Sequence, residues 1–462
     1  MGALLSSRKQ NGSKIDRSAG QAKALFQDAL KHQQAGDLQA AVEGYNNALR
    51  IDPAAPDALN NLGVALRAMG QREAAVVAYK RLLSFHPPNA STLVNLGNVL
   101  RELGQFDECT STFLKALALE PKERGALYGL GLVSRDCNQL DESLSYFDRA
   151  LADSPDDPDL NWDRALTLLR MGDYERGFEA YEWRWKLARS APRDFATPEW
   201  DGSPLNDRTL LLYGEQGFGD AIQFARFIPK LAKAQKTEVI LEVRPELVRL
   251  LEGQLPGVKQ VVARGDDLPD YDCHLPLLSV PRALEIRLDE VPREPYLKPK
   301  EGLVSIPSSE KGMLNVGLAW AGSPTQANDR NRTFALKDML PILKLPHCRF
   351  FSLQKGSAEA ELESLGVRHT ITPLGSMLRD FADTSAVIDN LDLVITADTS
   401  VAHLAGAMGK PVWIALSVFH DWRYDETGSI SIWYPQARVF RQDIPSDWIG
   451  VFVRMVLEML HH

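Results

Sequence analysis

Cysteine is scarce in this sequence: Cys109, Cys137, Cys273 and Cys348 stand far apart among 462 residues, with no CxxC pair and no Cys/His ligand spacing. That argues against a disulfide-stapled scaffold or a zinc module and points to free thiols in a reducing, cytoplasmic setting. No apolar run of about 18 residues exists, so no membrane span is expected. The first residues, from Met1 to Ser6, lack the apolar stretch and cleavage site of a secretory signal and fit only the loose M-G-x-x-x-S lipidation pattern. Positive charge is also in deficit, 52 Lys+Arg against 61 Asp+Glu, for a net charge of -9. A nucleic-acid partner, which would need a broad basic face, is therefore not expected. Residues 1–21, with Arg8, Lys9, Lys14 and Arg17 against Asp16, read as a disordered tail.

What the sequence has in abundance is repetition. Proline recurs at 53, 87, 121 and 155, a spacing of 34 residues each time. Gly63, Gly97 and Gly131 keep that step, with Ala29 and Ala165 in the flanking copies. Gly36, Gly70, Gly104 and Gly172 keep a second phase, with Asn138 between them; Tyr45, Tyr79, Phe113, Phe147 and Tyr181 keep a third. Such a unit reads as two helices. The small residue lets them approach, the Gly/Asn takes positive φ in the turn, and the aromatic fills the gap to the next copy.

Period and phase resemble the tetratricopeptide (TPR) family, with five repeats over 22–190. The resemblance implies a helical solenoid whose concave groove binds a protein. Asn61 and Asn95 hold one helix position in successive repeats, and Asn98 lies one turn beyond Asn95. This resembles the asparagine ladder of O-GlcNAc transferase, in which amides grip a peptide backbone. The alternative is a set of solvated polar residues. Trp183-Arg184-Trp185 reads as a cap against whatever follows, and the Pro-bearing stretch 191–208 as a linker.

From Thr209 short apolar strands alternate with amphipathic helices, the pattern of a parallel sheet. Strands are predicted over 209–213, 239–243 and 258–262 in one unit (209–300). A second unit (312–462, ending in a helix) has them over 315–320, 349–353, 393–396 and 412–415. The fold class is therefore all-α followed by α/β.

Two stretches carry the chemistry. Gly217-Phe218-Gly219-Asp220 follows the first strand, and Asp398-Thr399-Ser400-Val401-Ala402-His403 leads to Gly409-Lys410-Pro411. Both are similar to motifs of heptosyltransferase-like glycosyltransferases of GT-B fold, two Rossmann-like units facing across a cleft. The resemblance implies that Asp220 is the general base, on a loop shaped by Gly217 and Gly219. It implies that Asp398, Thr399, Ser400 and His403 hold the donor. Residue by residue the rival readings stay open: Asp220 as a helix cap, His403 as a satisfied helix histidine. Arg332, or else Arg330, is the candidate grip on the donor diphosphate, since guanidinium can bind it at two points. Gln354 and Lys355 sit at another strand end and are expected to line the cleft. The segment from Phe419 to Tyr424 is a lid candidate. No metal and no cofactor are expected beyond a nucleotide-sugar donor, because GT-B chemistry usually relies on helix dipoles and cations.

The expected activity is inverting transfer of a sugar to a protein hydroxyl, the repeats recruiting the acceptor. Bacterial proteins of this plan include flagellin glycosyltransferases, which makes flagellin the named candidate. The rival readings are a transferase of lipopolysaccharide type and a non-catalytic scaffold.

Overall fold

The computed structural model describes residues 19–190, 193–215, 217–302, 304–322, 332–424 and 428–461. These fall into two compact units that part between Asp163 and Arg164.

The first unit is a run of antiparallel helix pairs: α1 (residues 19–34), α2 (Leu38–Ile51), α3 (Pro56–Ala68), α4 (Arg72–Phe85), α5 (Ala90–Glu102), α6 (Phe106–Leu119), α7 (Arg124–Asp136) and α8 (Leu140–Asp153). Each pair is joined by a turn whose Gly36, Gly70, Gly104 or Asn138 has φ between 59° and 82°, as the spacing predicts. The in-phase glycines serve close approach. A Cβ on Gly63, Gly97 or Gly131 would lie 2.5–2.6 Å from the ring of Tyr79, Phe113 or Phe147 in the same repeat. Phe113 also lies against Gly129 of the next repeat, so one ring closes both the pair and the junction. All three rings are at most 1 % exposed, and a continuous apolar core runs from Ala29 to Leu160.

The second unit holds two parallel sheets. The first has the order β3-β2-β1-β4, from β1 (Leu210–Tyr213), β2 (Val239–Val243), β3 (Val258–Ala263) and β4 (Cys273–Pro276). The other has the order β10-β9-β8-β5-β6-β7. Its strands are β5 (Leu314–Ala319), β6 (Cys348–Ser352), β7 (Ile371–Pro373), β8 (Leu393–Ala397), β9 (Val412–Leu416) and β10 (Ala437–Arg441). Every strand pair is parallel, and β1, β2, β8 and β9 are buried throughout, as sheets covered on both faces require. The helix Trp448–His461 closes the chain, with Val451, Phe452 and Met455 in the core of the second sheet.

The expected domain limit at 190 does not coincide with the division between units. The helix Tyr174–Tyr181, second of the fifth repeat, spends its aromatics within the α/β unit: Tyr174 stacks on Trp433, and Phe178 meets Phe224 and Trp422 edge-on. Arg184 is buried in ion pairs with Glu182 and Glu215 and donates to Ser279 Oγ, which pins the cap to the first sheet's connections. The stretch read as a linker also joins the sheet. Glu199 bridges to His274 of β4, and Arg193 pairs with the buried Glu242 of β2.

Candidate active site

β8 ends at Ala397, and after Asp398 and Thr399 the chain turns into the helix Ser400–Ala407. Thr399 is the N-cap by backbone conformation (φ -138°, ψ 174°), but its hydroxyl faces back to Thr396 Oγ1 at 3.1 Å. Among the described residues no side-chain oxygen caps this helix, and a helix N-terminus of that kind is suited to an anion. Ala402, Leu404, Ala405 and Ala407 are fully buried, which seats the helix on the sheet. His403 is buried, with Nδ1 3.1 Å from Tyr434 Oη. Burial, reinforced by Arg423, Arg226 and Arg332, pushes its pKa well below the usual range, so it is a neutral imidazole at neutral pH. Asp398 accepts from Tyr424 Oη at 2.8 Å. Burial, aided by the like charge of Asp421, raises its carboxyl to about 6, against the opposing pull of Tyr424, Arg332 and Arg423.

Asp220 is the third residue of the helix Phe218–Phe224, whose N-cap is Gly217. Its carboxylate does not cap the helix: Oδ1 accepts from Arg423 Nη2 at 2.8 Å. A Cβ on Gly217 would collide with Asp220 Oδ2, so glycine there leaves that oxygen its place. A Cβ on Gly219 would come within 2.6 Å of His403 Cδ2 and 3.5 Å of Ser400 Cα. The Gly-Asp pair therefore lies directly against the start of the Ser400 helix. Asp220, Asp398, Thr399, Ser400 and His403, expected from sequence to act together, are thus gathered at one place. Arg332 is half-buried and exerts its charge on Asp398 and His403. Arg330 lies outside the described residues.

Two expected donor contacts have other work. Gln354 is buried, and its amide braces the chain beyond β5: Oε1 accepts from Trp320 N and Ala321 N, both at 2.9 Å, while Nε2 donates to the Ala321 and Lys355 carbonyls. Lys355 Nζ donates to the Leu378 carbonyl. In the repeats, Asn61, Asn95 and Asn98 are half-buried, and the first two are tied through Asn60. Asn95 Nδ2 donates to Asn60 Oδ1 at 3.1 Å, and Asn60 Nδ2 to Asn61 Oδ1 at 3.2 Å. Asn60, not anticipated, is the bridge. Asn98 makes no side-chain hydrogen bond to a described residue.

Sequence reasoning missed the role of the segment after β9. Trp422, Arg423 and Tyr424, within the segment read as a lid candidate, are buried, at 5 %, 7 % and 2 % exposure. The only signal was their mixture of cation and aromatics at a strand end. Among the described residues no group of three His, Cys, Asp or Glu could hold a metal ion, and no helix is long and apolar enough to cross a membrane.

Comparison with known proteins finds the repeats in the first part of the chain and a transferase family in the second. TPR models match residues 32–70, 57–86, 94–158 and 135–183. The model of glycosyltransferase family 9 (heptosyltransferase) matches residues 355–446, a stretch that holds the Asp398–His403 motif but neither Asp220 nor Arg332. Protein FlbA of Caulobacter vibrioides is 29% identical over 320 residues, 62% of this chain and 53% of its own length; the chain spans about half of that relative. Among solved structures, MamA from Desulfovibrio magneticus RS-1 is 21% identical, with TM-score 0.34 over 37% of this chain and 97% of its own. The Pseudomonas aeruginosa PilF structure is 24% identical, with TM-score 0.33 over 39% and 80%. The chain thus carries TPR repeats in its first part, and residues 355–446 of its second part are similar to the glycosyltransferase domain of the heptosyltransferase family.

Proposed function

We propose that the α/β region transfers a sugar, with inversion, from a nucleotide-sugar donor to a hydroxyl of a protein bound by the repeats. One observation carries the reading. Gly219 packs on Ser400 and His403, which sets the Asp220 carboxylate beside an uncapped helix N-terminus. A base and an anion cradle side by side are what this reaction needs. Asp220 takes the proton of the acceptor hydroxyl as that oxygen bonds the anomeric carbon. The bond from that carbon to the diphosphate breaks, and the leaving oxygen keeps the electron pair. Its charge is met by the N–H groups at Ser400 and by Arg332, without a metal. Free thiols, Cys109 and Cys273 buried and Cys137 exposed, fit a cytoplasmic setting. Flagellin is the candidate acceptor to test first.

The test is nucleotide release by the purified chain across a panel of nucleotide sugars, with and without EDTA. Release from one donor, insensitive to EDTA, is expected. No release from any donor, with no nucleotide binding by calorimetry, would overturn the reading. Loss with EDTA and recovery with Mn²⁺ would overturn its metal-free form.

A further inference from the structure

Arg423 is a buried cation at the site, 7 % exposed. Its three donor nitrogens each have a partner: Nη2 to Asp220 Oδ1 at 2.8 Å, Nη1 to Asp421 Oδ1 at 2.8 Å, and Nε to Gln223 Oε1 at 2.5 Å. Its guanidinium carbon lies 4.6 Å from the centre of the Trp422 ring and 5.7 Å from that of Phe224. A planar guanidinium held on three sides cannot turn without breaking several bonds at once. The carboxylate that leans on it is fixed with it. Asp220 spends Oδ1 on this contact, while Oδ2, over the bare Gly217, makes no hydrogen bond to a described residue. The next residue, Tyr424, donates to Asp398 at the head of the Ser400 helix. Two adjacent residues therefore grip the two acids of the site, 178 positions apart in the chain (398 minus 220).

We propose that Arg423 is a positioning residue, which holds Asp220 by one oxygen so that the other faces the acceptor hydroxyl, and which Tyr424 registers to the donor side through Asp398. This rests on the reading of Asp220 as the base. The energetic logic is that of orientation. A misplaced base loses rate in the chemical step while donor binding persists, because the donor is held elsewhere.

The experiment is a double-mutant cycle on transfer kinetics with Asp220→Asn, Arg423→Gln and Arg423→Lys, using the donor and acceptor pair that the parent turns over. Arg423→Gln is expected to lower kcat by about tenfold or more with donor KM within about twofold of the parent, as for a group acting only in the chemical step. Arg423→Lys, which keeps charge but not the planar fork, should recover part of that loss. In the Asp220→Asn background Arg423→Gln should cost little more, because the group it positions has lost its function. Should Arg423→Gln fail to fold, Arg423→Lys and Asp421→Asn, which frees one side of the guanidinium, carry the same comparison. Equal kcat for the Arg423 variants and parent, with Asp220→Asn inactive, would overturn the positioning role and leave the base standing. Full additivity in the cycle would overturn it too. Parent-level transfer by Asp220→Asn would instead remove the base assignment itself.

Discussion

In the repeat array, polar side chains reach about one repeat ahead. Arg67 pairs with Glu102, Arg101 with Asp136, and Tyr128 donates to Asp163, each 35 positions on. In the α/β region the decisive contacts leap across the chain: Arg423 meets Asp220 over 203 positions and Gln223 over 200, and Arg226 reaches the Trp433 carbonyl over 207. The first kind of order is local and repeated, so losing one contact leaves its copies intact. The second kind is made once, so its loss is expected to fall on function before stability.

That contrast is open to direct attack. The largest effect belongs to the single-copy site. Asp220→Asn should lower transfer by about 10²–10⁴, the range of general acid–base catalysis, with little change in melting temperature. Next comes the donor. Arg332→Ala should weaken nucleotide binding by about 1.5–3 kcal/mol, the worth of a charge-assisted hydrogen bond, read by calorimetry. In the array the expected effect is on stability instead. Gly97→Ala forces the fully buried Phe113 ring to give way. Overpacking of this kind costs about 1–3 kcal/mol, offset in part by the roughly 0.5–1 kcal/mol that alanine gains over glycine in a helix. Urea unfolding measures the net. If Gly97→Ala instead abolished transfer at unchanged stability, the division between the regions would be lost.

Two smaller effects sharpen the comparison. Replacing Asn60, Asn61, Asn95 and Asn98 by Ala should raise acceptor KM by about tenfold, since each lost hydrogen bond is worth roughly 0.5–1.5 kcal/mol. Part of that is spent internally, because Asn60 already bonds Asn61 and Asn95. Asp398 gives a pH signature. Its folded carboxyl, near 6, stands above its ordinary 3.8, so the native state holds a proton that the unfolded chain releases. The stabilisation is full below about pH 4 and is lost as pH rises through 6. Asp398→Asn should flatten that limb of the melting curve against pH. An unchanged pH dependence would mean that Asp398 is not the carboxyl that holds this proton.

How much of this was legible depended on the same contrast. The repeats announce themselves because Gly63, Gly97 and Gly131 meet the same ring problem three times. The central strands were readable to within about a residue because buried parallel strands are short apolar runs; in β2 the polar Glu242 is allowed by its pair with Arg193. β4, β7 and β10 were not anticipated. They are brief or edge strands, and Cys-His-Leu-Pro, Ile-Thr-Pro and Ala-Arg-Val-Phe-Arg lack a clean pattern. The site was half legible. Asp220 and the Asp398–His403 stretch carry local signatures of a strand turning into a helix. Arg423 carries only its place among aromatics at a strand end, and Tyr434 no signal, because their meaning lies in partners that only folding brings near. Gln354 was legible as a strand-end amide but not as a brace, because such an amide looks the same in sequence whether or not it holds a loop.

The most direct test of sugar transfer to a protein is intact-mass analysis of a candidate acceptor, flagellin first, expressed with the parent chain or with Asp220→Asn. The expected result is a mass increment of one sugar residue or a multiple of it with the parent, absent with Asp220→Asn. The same increment with both chains would contradict the role of Asp220. An unmodified acceptor beside a parent chain that releases nucleotide from its donor would contradict transfer to that protein.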